Sequence, residues 1–310
     1  MNGIVTKSTG SWYTVRNAEG KRFQCRIAGK IRLENRRTTN PIAVGDHVHF
    51  DEEADGNGII KKIDPRKNYI IRKSINLSKQ AHILASNIDQ AILIVTLILP
   101  RTSTGFMDRF LATAEAYRIP ALIVFNKKDL LDQKLILAQA EMVEMYTKIG
   151  YPCYQISSLD ELNVFEIREL LRNKTSLIAG HSGVGKSTLI NAIQPGLKLK
   201  VGDISEAHFK GKHTTTFAEL FDLDFGGFII DTPGIKELGI LEMTKEEVGH
   251  YFPEFRALMH SCRFNNCTHT SEPGCAVHAA LEKGLISPSR YHNYLGILSG
   301  EEMDWKKWEN

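Results

Sequence analysis

The chain has 310 residues, of which 42% are hydrophobic and 24% charged, and its formal net charge is +3. This length predicts two or three domains, and the composition excludes disordered, collagen-like and coiled-coil proteins. The longest apolar run, AILIVTLILP at 91–100, is too short to cross a bilayer and predicts a buried strand. Since the first residues contain no apolar signal region, we expect a cytoplasmic protein without membrane contact.

Residues 1–73 are rich in β-branched and aromatic residues interrupted by turns. The predicted strands are GIVTKS, WYTVRN, RFQCRIA, DHVHF and GIIKKI. Five short strands in this length predict a small all-β barrel, with the OB-fold as the leading candidate. The segment carries a net charge of +7, which leaves −4 for the rest and indicates a polyanionic partner. Its loop at 30–40 places four cations together as candidate RNA contacts: Lys30, Arg32, Arg36 and Arg37.

From about residue 86, apolar strands alternate with amphipathic helices. The strands are AILIVTLI (91–98), ALIVF (121–125), CYQIS (153–157), SLIAG (176–180) and FIIDT (228–232), and the helices fall near 105–117, 130–149 and 161–172. This alternation predicts a parallel α/β sheet with helices on both faces. A capping-box pattern at 158–161 predicts Ser158 as the N-cap of the third helix. From 241 onward the pattern is helical, beginning with a second capping box at 244–247.

A glycine-rich loop connects one of these strands to a helix. Residues 180–187 read GHSGVGKS and match the pattern G-x-x-x-x-G-K-[ST] of a phosphate-binding loop in full. The alternative, a glycine-rich turn without ligand, is disfavoured by the strand before it and the helix after it. Lys186 would reach the β- and γ-phosphate oxygens, and the Ser187 hydroxyl would bind Mg²⁺. The predicted phosphate contacts are Gly180, His181, Ser182, Gly183, Val184, Gly185, Lys186, Ser187 and Thr188.

Two later segments fit the same nucleotide. Asp231 stands at the tip of the strand GFII, where a carboxylate can serve Mg²⁺, and Gly234 of DTPG allows a backbone N–H to approach the γ-phosphate. Between them and the phosphate loop lies GKHTTT at 211–216. A threonine there could close over Mg²⁺ as a switch. The sequence does not decide among Thr214, Thr215 and Thr216, and we assign Thr215.

The tetrapeptide NKKD follows the strand ALIVF. The Asp129 carboxylate can accept hydrogen bonds from guanine N1–H and the 2-amino group, whereas adenine offers neither donor. Asn126 can bridge to guanine, and the stems of Lys127 and Lys128 are apolar enough to cover a base. Ser157 and Ser158 follow the strand CYQI and could contact the guanine oxygen, although a helix N-cap explains Ser158 equally well.

The order of these motifs is unusual. In ordinary GTPases the phosphate loop comes first and NKxD comes late, whereas here NKKD precedes the phosphate loop and DTPG comes last. The same sheet can be built from a chain that is cut and rejoined elsewhere, because termini lie at surfaces and often close together. The sequence therefore predicts a circularly permuted GTPase.

Near the C-terminus, three cysteines and a histidine are crowded into fourteen residues. Cys262, Cys267, His269 and Cys275 form a set of the kind that holds one structural zinc, with no open position for catalysis. His260 and His278 lie nearby and are interpreted as helix-surface residues. The alternative is three reduced cysteines packed as small apolar groups, which the polar character of the loop disfavours.

With these motifs in this order, the chain resembles the bacterial ribosome small-subunit-dependent GTPases, which assist assembly of that subunit. The resemblance rests on GHSGVGKST, NKKD, KHTTT, DTPG and the cysteine cluster, and it covers nearly the whole chain. It implies an OB-fold at 1–73, a permuted GTPase domain at 74–240 and a helical zinc domain at 241–310. It also implies a monomer that binds GTP, GDP and the small subunit with its rRNA, and that leaves after stimulated hydrolysis.

One expected catalytic group is missing. Ras-type enzymes carry Gln directly after D-x-x-G to orient the attacking water, and here that position is Ile235. His213 is the best substitute for orienting or deprotonating water, but a ribosome or solvent contact explains it equally well. Lys186 and Gly234 complete the catalytic candidates. Two other functions stay open on the sequence alone: an RNA-binding GTP sensor with little turnover, and a P-loop ATPase or kinase.

Overall fold

The computed structural model describes residues 1–29, 41–73, 81–197, 218–231 and 244–300. The chain forms two compact units. The barrel unit comprises Met1–Ile92 and Ser158–Gly239, and the helical unit comprises Leu93–Ser157 and Ile240–Asn310. None of the helices in the described ranges is long and apolar enough to cross a membrane.

The barrel unit begins with five strands that close into a ring. They are β1 (Asn2–Ser8), β2 (Tyr13–Asn17), β3 (Arg22–Ile27), β4 (His47–Glu52) and β5 (Gly58–Ile63). Strand β1 pairs with both β2 and β4, β2 pairs with β3, β4 pairs with β5, and β3 runs parallel to β5. These pairings confirm the predicted small all-β barrel of five strands.

Alternation of apolar and polar residues fills the inside of this barrel. In β3, Phe23 and Cys25 are buried while Arg22, Gln24 and Arg26 are exposed. Such period-two patterning leaves one face of each strand for the core. The core consists of Val5, Tyr13, Val15, Phe23, Cys25, Ile42, Val48, Phe50 and Ile60.

The rest of the barrel unit contains strands that extend this sheet and a separate hairpin. Its strands are β6 (Tyr69–Lys73), β7 (Ala81–Ser86), β11 (Thr175–Ala179), β12 (Glu219–Asp222) and β13 (Phe228–Asp231). Strands β6 and β7 form a separate hairpin, β11 and β13 are parallel, and β12 pairs antiparallel with β13. Strand β12 also pairs with β1, Lys7 lying opposite Glu219. The barrel therefore continues directly into the sheet that carries the phosphate loop.

Charged side chains reinforce this junction. Lys7 lies 3.1 Å from Glu219, and Arg16 lies 2.7 Å from Asp222. Arg22 also donates to Asp222, and Arg16 covers the Phe228 ring. Three cations of the basic N-terminal segment are thus bound within the chain. The sequence-based prediction counted them toward a polyanion.

The helical unit contains the end of β8 (Gln90–Val95), β9 (Ala121–Phe125) and β10 (Cys153–Gln155), in the order β10-β9-β8. Strands β9 and β10 are parallel, as predicted, and β8 is buried along its whole length. The helices α1 (Thr104–Ala116) and α2 (Gln133–Ile149) belong to this unit, and α3 (Glu161–Leu171) and α4 (Lys186–Ile193) belong to the barrel unit.

The N-cap of α3 differs from the prediction. Asp160, not Ser158, caps this helix, and its carboxylate accepts from the backbone N–H groups of Leu162 and Asn163. Aspartate is as good an N-cap as serine, and it stands directly before the first helical residue. The capping-box interpretation of Ser158 is therefore wrong, whereas the capping box from Thr244 to Glu247 is present.

The C-terminal part of the helical unit consists of short helices around an aromatic core. They are α5 (Lys245–Val248), α6 (Pro253–Arg256), α7 (Ala276–Glu282) and α8 (Pro288–Ser299). Phe252, Phe255 and Tyr294 are fully buried, with ring centroids 4.9–5.4 Å apart.

A buried ionic network joins α8 to α1. The Arg290 guanidinium donates to Asp108 (2.7 Å) and, through two nitrogens, to Glu254 (2.8 and 3.1 Å). Asp108 also accepts from the Tyr146 hydroxyl and the Asn293 amide. Arg290 is 1% exposed and Asp108 is fully buried, so each depends on the other for its charge to be compensated.

Candidate functional site

The glycine-rich loop adopts the conformation that its sequence predicts. It leaves β11, and α4 begins at Lys186. Gly180, Gly183 and Gly185 have φ values of 145°, 83° and 94°, which side-chain-bearing residues rarely adopt. No side chain caps the N-terminus of α4, so its first N–H groups and the positive end of the helix dipole are suited to binding an anion.

Lys186 closes this loop upon itself. Its amine donates to the carbonyl oxygens of Gly180 (2.7 Å) and His181 (2.6 Å). Val184 is buried and fixes the middle of the loop, whereas Ser187 and Thr188 are exposed on the first turn of α4. The arrangement places a cation and a hydroxyl beside the N–H groups, a combination suited to phosphate with a divalent cation.

In the helical unit, NKKD lies at the end of β9. Asn126 is buried and donates its backbone N–H to Val95 O at 2.9 Å. Lys127 has φ 64°, and its amine donates to Leu99 O. Asp129 is exposed, in the short helical turn Lys128–Leu130. The left-handed conformation of Lys127 turns the chain sharply and leaves the Asp129 carboxylate available to a nucleobase.

The end of β10 lies beside this turn. The backbone N–H of Lys128 donates to Ile156 O at 3.0 Å, and that of Ile156 donates to Phe125 O at 2.8 Å. Ser157, the next residue, is buried. Within the helical unit the fold therefore brings the NKKD turn and Ser157 together. Ser158 is also buried and begins the second segment of the barrel unit.

Several predicted site residues lie outside the described part of the chain. They are Lys30, Arg32, Arg36, Arg37, His213, Thr215 and Gly234. Asp231 is the last residue of β13, which places it at the strand tip as predicted.

The four predicted metal ligands come together in the helical unit. The ligand atoms of Cys262, Cys267, His269 and Cys275 all lie within 4.8 Å of one another. His269 Nδ1 lies 3.7 Å from the Cys262 sulfur and 3.4 Å from the Cys275 sulfur. Tetrahedral zinc with ordinary bond lengths would separate such atoms by about 3.6 Å. The cluster fits one metal ion, with Nδ1 as the nitrogen ligand.

Backbone conformation and one carboxylate shape this metal loop. His269 has φ 54° and Gly274 has φ 73°. The Glu272 carboxylate accepts from the backbone N–H groups of Thr268, Thr270 and Ser271 and from the Thr268 hydroxyl. Burial opposes ionisation of Glu272, but these hydrogen bonds prevail and lower its pKa to about 2. The loop is held by this anion as well as by the cluster.

Sequence reasoning missed the groups that support the histidine. His278, interpreted as a surface residue, has its Nε2 2.9 Å from His269 O, and the Tyr291 hydroxyl donates to the same oxygen at 2.8 Å. Gly249 lies against the imidazole, and a Cβ there would come within 3.2 Å of Nε2. Only the tyrosine spacing on α8 (Tyr291 and Tyr294) could have indicated a buried helix face.

Comparison with known proteins places these features in a family. A model described as RsgA GTPase matches residues 63–241, and one described as RsgA N-terminal domain matches 2–60. A Bacteroides thetaiotaomicron protein named small ribosomal subunit biogenesis GTPase RsgA 2 is 53% identical over 97% of both chains. Its Christiangramia forsetii counterpart, named RsgA, is 52% identical over 99% of this chain and 98% of its own.

Two solved structures agree with this comparison. YjeQ from Thermotoga maritima is 38% identical, with a TM-score of 0.80 over 96% of this chain and 97% of its own. YloQ, described as a circularly permuted GTPase, is 33% identical, with a TM-score of 0.76 over 96% of this chain and 94% of its own.

Proposed function

The chain belongs to the RsgA family of circularly permuted GTPases, and from that premise we propose that it binds the small ribosomal subunit in the cytoplasm and assists its maturation. GTP hydrolysis, stimulated by the subunit, releases the protein. The observation that carries this proposal is the 53% identity, over nearly the whole chain, to a relative named for small-subunit biogenesis. Membership of a GTPase family rules out the ATPase or kinase alternative.

In this proposal, the glycine-rich loop and the NKKD turn bind different parts of the nucleotide. The glycine-rich loop, residues 180–188, binds the phosphates, and Lys186 turns from the loop carbonyls to the β- and γ-oxygens. Ser187, Thr215 and Asp231 serve Mg²⁺. Asn126, Asp129 and Ser157 read the guanine, with Lys127 and Lys128 along the base. The alternative role of Ser158, the N-cap of α3, belongs to Asp160. We therefore keep the proposed contact of Ser158 with the guanine.

Guanine selectivity gives a direct test of the base assignment. Replacing Asp129 by asparagine turns one of the two carboxylate acceptors into an amide donor, which leaves one guanine donor unpaired and suits the 2-carbonyl of xanthine. We expect GTP affinity to fall by about 100-fold or more and xanthosine triphosphate affinity to rise, because a buried unpaired donor is costly. Competition binding measures both, with Asp132→Asn, at the N-cap of α2, as the control.

Unchanged GTP binding by Asp129→Asn would show that the guanine site lies elsewhere.

Hydrolysis tests the ribosomal function. Because Ile235 cannot orient water, we expect slow GTP turnover by the chain alone, faster turnover with small subunits, and no increase with large subunits. His213→Ala should reduce the stimulated rate by about 100-fold, the usual size of a general-base contribution, while GTP affinity stays as in the parent. A sensor with little turnover would show no stimulation by either subunit.

The same proposal gives the remaining assignments. One structural zinc is held by Cys262, Cys267, His269 and Cys275, the protein is a monomer, and the domains divide at 1–73, 74–240 and 241–310. The loop cations Lys30, Arg32, Arg36 and Arg37 contact rRNA phosphates. Because β1 pairs with β12, a truncation that removes the barrel would also remove the strand that pairs with β12. RNA contacts are therefore better tested by point substitutions than by truncation.

A further inference from the structure

The barrel uses almost all of its described cations internally. Among residues 1–71 whose side chains the structure describes, eight Lys and Arg side chains lie within 4.0 Å of a carboxylate: Lys7, Arg16, Lys21, Arg22, Lys61, Lys62, Arg66 and Lys67. Arg26 is the exception in this part of the chain. Its guanidinium carbon lies 4.1 Å from the centroid of the Trp12 ring.

The position of this pair in the barrel is informative. Trp12 ends the β1–β2 loop, and the β2–β3 register, with Tyr13 opposite Cys25, places Trp12 opposite Arg26 on the outer face. At the other end of that face, Arg16 and Arg22 are bound to Asp222. The face therefore has one end joined to β12 and one end facing solvent, and the Trp12–Arg26 pair occupies the solvent end.

Polar groups that could contact a base edge surround the pair. The Gln24 amide donates to the Thr14 hydroxyl at 3.2 Å, next along the same face. Asp55, in the β4–β5 loop, accepts from the backbone and side chain of Asn57. These hydrogen bonds, with a smaller contribution from the Arg26 charge, lower the pKa of Asp55. Cys25 and Arg26 of β3 lie opposite Gly58 and Ile59, the residues that follow the β4–β5 loop. The β1–β2 loop, strand β3 and the β4–β5 loop therefore meet at one place.

We propose that Trp12 and Arg26 form a platform on which an unpaired RNA base stacks. Arg26 is exposed and Trp12 half-buried, so the guanidinium is the outer of the two groups. Unstacked bases bind to aromatic rings and to arginine planes, and OB-folds bind oligonucleotides on the face of strands 2 and 3 and the loops named above. The inference rests on the proposed function, since it adds a base contact to the phosphate contacts assigned there.

The proposal predicts which nucleic acid binds and how substitutions act. The full chain should bind a single-stranded 12-nucleotide RNA more tightly than a 12-base-pair RNA duplex, whose bases are already stacked. Arg26→Lys keeps the charge but loses the plane, and Trp12→Leu removes the ring beneath it. Each should weaken single-stranded RNA binding by about 5- to 100-fold, the range for one stacked base. The salt dependence should not change, because no phosphate contact is lost.

Two features separate stacking from a structural role of the pair. The double variant Trp12→Leu/Arg26→Lys should bind no more weakly than the weaker single variant, because both changes remove one platform. Lys61→Gln, which removes an exposed cation of the same barrel already paired with Asp51, is the matched control and should change affinity by about twofold or less. Thermal unfolding of each variant confirms that the barrel is intact.

A direct readout uses the tryptophan itself. The chain has three tryptophans, and in Trp305→Phe/Trp308→Phe Trp12 is the only one left. Saturating single-stranded RNA should change its emission.

Unchanged emission, or single-stranded RNA affinity within twofold of the parent in folded Arg26→Lys and Trp12→Leu, would overturn the proposal. So would equal binding of single strand and duplex. Stimulation of GTP hydrolysis by small subunits is measured in parallel on the parent. If hydrolysis is stimulated but the variants bind RNA as the parent does, only the stacking platform is rejected. If hydrolysis is not stimulated but the variants bind RNA more weakly, only the ribosomal function is rejected.

Discussion

Replacing Arg290 by methionine is expected to lower the free energy of unfolding of the helical unit by about 3–5 kcal/mol, the usual cost of removing one partner from a buried ion pair. The guanidinium binds two carboxylates and lies 4.4 Å from the centroid of the Phe252 ring. Without it, Asp108 keeps only the neutral donors of Tyr146 and Asn293 in a site closed to water.

The loss should depend on pH. Burial already raises the pKa of Asp108 above its ordinary value, although Arg290 opposes the shift. Removing Arg290 raises this pKa further. A carboxyl whose folded pKa exceeds its unfolded pKa loses stability as pH rises through the folded value. The difference between parent and variant should therefore be larger at pH 8 than at pH 5.

Hydrogen exchange of α1 and α8 together with urea unfolding measures the effect. Arg256→Met is the matched control, because Arg256 pairs with Glu115 at 3.0 Å in the same unit but is about half exposed. An exposed pair of this kind contributes about 1 kcal/mol or less. Equal losses in Arg290→Met and Arg256→Met would show that the buried network does not stabilise this unit.

Removing one metal ligand is the second substitution with a large expected effect. In Cys267→Ser we expect the loop from 262 to 275 to open, because metal binding and folding are one event in structural zinc sites, which contribute about 10–16 kcal/mol in isolated zinc fingers. The parent purified without chelator should contain about one zinc per chain by elemental analysis. Fast hydrogen exchange should be confined to this loop and the neighbouring turns, with GTP binding retained.

Cys153→Ser is the matched control for this experiment. Cys153 lies in β10, away from the cluster, and it should keep its zinc content. Parent protein that holds no zinc when purified without chelator would contradict the assignment of the cluster as a zinc site. Loss of GTP binding in Cys267→Ser would contradict its independence from nucleotide binding.

The parts of this protein that depend on local sequence could be predicted. The glycine-rich loop needs left-handed glycines at fixed spacing between a strand and a helix, and the sequence shows that spacing directly. The cysteine and histidine ligands lie within fourteen residues, so chain connectivity alone keeps them close. Alternating apolar residues specified the barrel strands, and the order of the motifs specified the permutation.

The tertiary structure alone decided which distant side chains meet. Nothing local to Lys7 indicates that its strand pairs with β12 some 212 residues later, or that Arg16 and Arg22 are bound to Asp222. Arg290 and Asp108, 182 residues apart, and His278 beneath the metal loop are further examples. Burial and pairing of these groups depend on packing between elements, whereas spacing along the chain determines only what lies within a turn, a strand or a loop.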